Sequence, residues 1–214
     1  MDCIKLTKML GGKLRKKLEK RLEAISSLIA RTGINPNVFS SIALVWAVLA
    51  AYLIANIDMV SALIFVVLAA IWDAFDGSLA RAAHKVTKFG NYLDAMIDRY
   101  VEIIILLGFA FSGFFIESFL VVSGSLLVSY AKARTSIVVP IGNQEWPAIG
   151  ERFERLLLLV IALAISIFLP DFTILEFKIS TVSFFLYLTA IMVYIGNIQR
   201  IFYAKNLINK SLKN

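Results

Sequence analysis

VSALIFVVLAAIWDAFDGSLARA (residues 60–82) runs apolar for thirteen residues with only Ser61 to interrupt it, and then places two carboxylates, Asp73 and Asp76, into the same helical pattern. An apolar stretch of this length reads as a membrane span. Acidic side chains at its end are costly in hydrocarbon and mark a functional site rather than packing. Only eight residues separate Arg81 from Gly90, which opens the next apolar run, and that run brings Asp94 and Asp98 at a spacing of four. Spacings of three and four put each pair on one face of a helix, and the short connection makes the two helices antiparallel neighbours. Two such faces brought together form an oxygen-rich pocket suited to a hard divalent cation. The alternative is a set of interfacial carboxylates paired with Arg81, Lys85, Lys88 and Arg99.

The rest of the chain extends the membrane reading. Of its 214 residues 59% are hydrophobic, and the mean hydropathy is +0.80. Both values exceed those of soluble domains and predict an all-α polytopic membrane protein. Apolar stretches long enough to cross a bilayer fall at 38–57, 60–82, 91–112, 114–138, 153–169 and 177–203. Residues 3–30 instead alternate Leu and Ile with Lys and Arg at helical spacing. That pattern predicts an amphipathic juxtamembrane helix over 1–31 on an anionic surface, followed by one six-span domain over 32–214. Gly33 and Pro36 break the chain between them.

Charge decides orientation. With six spans both termini share one side, and that side holds all of the 22 Lys and Arg except Lys178. The positive-inside rule then places the termini and the aspartates at the cytoplasmic face of the cell membrane. The net charge of +7 is thereby directed at membrane lipid rather than nucleic acid. A lone cysteine, Cys3, excludes an intrachain disulfide. His84 has no second histidine with which to build a typical metal site and reads as a loop residue. Trp46, Trp72 and Trp146 are candidate interface anchors, and Glu102 either extends the polar network below Asp98 or makes an internal hydrogen bond.

The pattern D-x2-D-G-x2-A-R-x8-G-x3-D-x3-D over residues 73–98 resembles the signature of the CDP-alcohol phosphatidyltransferase family, with every fixed position met. The resemblance implies Mg²⁺ or Mn²⁺ held by Asp73, Asp76, Asp94 and Asp98, with Asp98 also the general base. It implies that Asp73, Gly77, Ala80 and Arg81 line the site of a CDP-linked lipid, together with Pro36, Asn37 and Ser40 at the start of the first span. Residues 129–134 and 151–155, with Gln199 and Arg200, resemble a feature of the phosphatidylinositol-phosphate and archaetidylinositol-phosphate synthases. That likeness implies an acceptor phosphate held by Lys132, Arg134, Arg152, Arg155 and Arg200. Membrane anchoring is the plainer reading of these cations. The expected activity is transfer of a phosphatidyl-type group, on diacylglycerol or archaeol, to inositol 1-phosphate with release of CMP by a homodimeric enzyme. Glycerol 3-phosphate or serine are alternative acceptors, and a divalent-cation transporter or a non-catalytic scaffold are readings of other classes.

Overall fold

The computed structural model describes residues 36–82, 87–139, 149–174 and 177–211. Among them are six helices: α1 (Pro36–Ala55), α2 (Met59–Ala82), α3 (Lys88–Phe111), α4 (Phe115–Val138), α5 (Arg152–Phe168) and α6 (Thr181–Ser211). They fall on the six expected apolar stretches. By length and composition α1, α4 and α6 can each cross a membrane, and the apolar part of α2 is a shorter run, Met59–Asp73. The amphipathic segment expected over 1–31, with His84 and Trp146, lies outside the described residues, as do the side chains of Pro36, Asn37, Asp76, Gly77, Ala80 and Arg81.

One departure from the all-α expectation lies between α5 and α6. Residues 177–180, expected to open the sixth span, belong to a hairpin of β1 (Asp171–Ile174) and β2 (Phe177–Ser180), paired antiparallel with Phe172 opposite Ile179. Apolar residues at alternate positions favour strand over helix here. Lys178 reaches Asp171 at 2.9 Å across the hairpin.

The chain divides into two units, and the division falls within α1, α2 and α3. The first comprises Met1–Trp46 and Leu68–Val101; the second, Ala47–Val67 and Glu102–Asn214. In the first, Phe39, Ala43, Ala69, Leu79, Ile97 and Val101 are buried. In the second, Ile54, Val66, Phe109, Val121, Leu163, Leu186 and Val193 are buried. Lipid removes the hydrophobic drive between helices, so close approach through small residues matters. Gly108 meets the backbone of Ala51, where an added Cβ would lie 2.6 Å from the Ala51 Cα. Helices α4 and α6 run parallel, tied in ascending order by Ser123 to Tyr194 at 3.0 Å, Asn197 to the Gly124 carbonyl at 3.0 Å, and Arg200 to the Val128 carbonyl at 2.8 Å.

Two helix ends share one device. At α3, Gly113 (φ +104°) and Phe114 donate to the carbonyls of Ala110 and Phe109; at α1, Ile57 (φ +61°) and Asp58 donate to those of Ile54 and Leu53. Both are Schellman caps, a motif that favours glycine at its left-handed position. A branched side chain there costs about 1–2 kcal/mol. Thermal unfolding in detergent is therefore expected to show Gly113→Val lowering the midpoint and Ile57→Gly raising it. A rise with Gly113→Val would refute the assignment.

Candidate functional site

In the first unit, aromatic packing sets the rotation of α2. Trp72 stacks on Phe39 with ring centres 4.6 Å apart, meets Trp46 edge-on, and donates its indole N–H to the Phe39 carbonyl at 2.9 Å. Trp46 and Trp72 thus pack on protein, and Ser40, beside Phe39, is buried. The residue after Trp72 is Asp73. On α3, the four-residue spacing puts Asp94 and Asp98 on one face, and Thr87 caps the helix by accepting from the Gly90 N–H at 2.9 Å.

These elements bring Asp73, Asp94 and Asp98 together, each offering one carboxylate oxygen, all within 4.8 Å of one another. All three are half-buried. Like charges at 4.8 Å repel by roughly 3 kcal/mol per pair at an effective dielectric of about 20. Asp98 accepts from Arg99 at 3.3 Å, a contact to one oxygen by a guanidinium that also serves the Ala95 carbonyl. An all-oxygen, anionic donor set of this kind fits a hard divalent cation.

The second unit holds the five basic residues expected to meet an acceptor phosphate. Lys132 and Arg134 are exposed and Arg152 is half-buried. Arg134 and Arg200 line a cavity of about 580 Å³ between α4 and α6, with Tyr130, Asn197 and Lys205. Arg155 departs from the expectation that it faces an acceptor. It is buried, and its Nε and Nη2 donate to the two oxygens of Glu102 at 2.6 and 2.7 Å, while Nη1 donates to the Gly150 carbonyl at 2.6 Å. The cause is the buried Glu102, which also accepts from Ser125 at 2.8 Å and requires a compensating charge. Arg200, also buried, donates to Glu151 at 3.3 Å.

The sequence left Glu102 open between two roles, and the places of Glu151, Glu154 and Lys205 were not foreseen from it. Glu151 and Glu154 form a capping box at the start of α5. Their three-residue spacing before an apolar run was the available signal.

Residues 34–207 match the model of the family described as CDP-alcohol phosphatidyltransferase. The chain is 36% identical to the archaetidylinositol phosphate synthase of Pyrococcus horikoshii over 200 residues, 91% of this chain and 96% of that protein. Its fold is similar to the phosphatidylinositol phosphate synthase of Mycobacterium tuberculosis. The structure with CDP-DAG bound superposes with a TM-score of 0.72 at 23% identity, covering 86% of this chain and 92% of that one. The complex with manganese and citrate gives a TM-score of 0.71 at 22% identity, covering 86% and 88%.

Titration of the detergent-solubilised protein with Mn²⁺, followed by the electron paramagnetic resonance of the free ion, is expected to show a site that Asp94→Asn weakens about tenfold or more. Equal affinity in the variant would remove Asp94 from the ligand set.

Proposed function

The chain belongs to the CDP-alcohol phosphatidyltransferase family and is a phosphotransferase, and we propose that it transfers a phosphatidyl-type group from a CDP-linked lipid to inositol 1-phosphate, releasing CMP. The observation that carries this reading is the meeting of Asp73, Asp94 and Asp98 within 4.8 Å. The 36% identical archaetidylinositol phosphate synthase supports the acceptor.

Asp73, Asp94 and Asp98, with Asp76 from the sequence motif, would hold Mg²⁺ or Mn²⁺. When bound, the cation supplies charge withdrawal from the pyrophosphate of the donor. Asp98 takes the proton of the acceptor hydroxyl on a carboxylate oxygen as the new O–P bond forms, and the P–O bond to CMP breaks. Pro36, Asn37, Ser40, Gly77, Ala80 and Arg81 contact the CDP moiety. Lys132, Arg134, Arg152 and Arg200 hold the acceptor phosphate, since guanidinium forks match phosphate oxygens. Arg155 supports them from its ion pair. The six helices span the cell membrane with both termini and the aspartates at the cytoplasmic face, and the enzyme is a homodimer.

The test is CMP release from CDP-lipid with Mg²⁺ or Mn²⁺ against inositol 1-phosphate, glycerol 3-phosphate and serine. Inositol 1-phosphate is expected to be preferred, and Asp98→Asn to lower kcat about 100-fold or more. Preference for serine would sink the phosphate-acceptor reading. Survival of inositol phosphate activity after changing both Lys132 and Arg152 to Ala would remove those two cations from it.

A further inference from the structure

The turn before α5 is held by several independent contacts, some to α6 and some to α5 itself. Gly150 has φ +82°, and a Cβ added there would lie 3.0 Å from the Val193 Cα. Gly196 leaves room for the Ile149 carbonyl, with which a Cβ at position 196 would collide. The Ile149 N–H donates to the Gln199 side chain at 3.0 Å, and the Gly150 N–H donates to Glu154 at 2.7 Å. Arg155 grips the Gly150 carbonyl while bound to Glu102. Arg152 follows this turn directly, and Glu151 within it reaches Arg200.

We propose that Glu102 and Glu151 are positioning residues for a phosphorylated acceptor. Glu102 acts through Arg155 and Gly150 to seat the start of α5, which carries Arg152. Glu151 acts on the Arg200 guanidinium. The inference rests on the phosphate-binding role given above to Arg152 and Arg200. A long cationic side chain loses much rotamer freedom on gripping an anion, and a partner that orients it beforehand lowers that cost. Glu151 is also an anion near the proposed phosphate, but its side chain is 54% exposed. Solvent screens its repulsion, so orientation prevails.

The first variant is Glu151→Gln, which keeps a capping oxygen and removes the charge. Its KM for inositol 1-phosphate is expected to rise roughly three- to tenfold, with the KM for CDP-lipid and the thermal midpoint unchanged. Glu151→Asp, which keeps charge and cap, is expected to recover most of the loss. The second variant replaces both members of the buried pair, Glu102→Gln with Arg155→Met, so that no charge is stranded. Its acceptor KM is expected to rise about tenfold or more while Mn²⁺ affinity stays the same. An unchanged or lower acceptor KM in both variants, or equal rises for both substrates, overturns the positioning role. Wild-type protein that releases no more CMP with any of the acceptors than without one sinks the transferase reading itself, and this inference with it.

Discussion

A charge enclosed by apolar helices persists only against a compensating charge, and the structure answers that constraint in two ways. Glu102 is answered within the protein, by two hydrogen bonds from Arg155 and one from Ser125. That one pair joins α3, α4 and α5, and through the Gly150 carbonyl it reaches the turn that rests on α6. Removing either partner would leave a buried charge alone, which is the costly case.

Asp73, Asp94 and Asp98 make the second acidic group. Three acidic groups meet within 4.8 Å, and the Arg99 contact reaches one oxygen of Asp98. Such a cluster stores repulsion that an external cation relieves. The contrast separates a structural charge from a chemical one. The first is a two-pronged ion pair of fixed geometry, and the second is an all-oxygen set that a cation can bridge.

Much of this was legible along the chain. Six helices stand on the apolar stretches that were expected, and of these α1, α4 and α6 are long and apolar enough to cross a membrane, a minimum length that hydrocarbon thickness imposes and sequence displays directly. The face shared by Asp94 and Asp98 followed from their spacing of four, since helical geometry is local. The hairpin was missed because four-residue strands beside a long apolar run are hidden by the run itself. The pairing of Arg155 with Glu102 was not legible for a different reason. The arginine's neighbours in sequence are charged and suggest a surface, whereas its partner lies 53 residues away.

By itself the sequence determined the membrane class, the helix positions and the carboxylate motif, all of which depend on composition and short-range periodicity. Only the tertiary structure decided which arginine is taken up by a buried carboxylate. Arg152 and Arg155 are three residues apart on the same helix, yet Arg155 faces Glu102 and is buried while Arg152 is half-buried. Ion pairing depends on distances across helices, and no local pattern in the chain encodes them. The opposed fates of these two arginines were set by where α3 places Glu102.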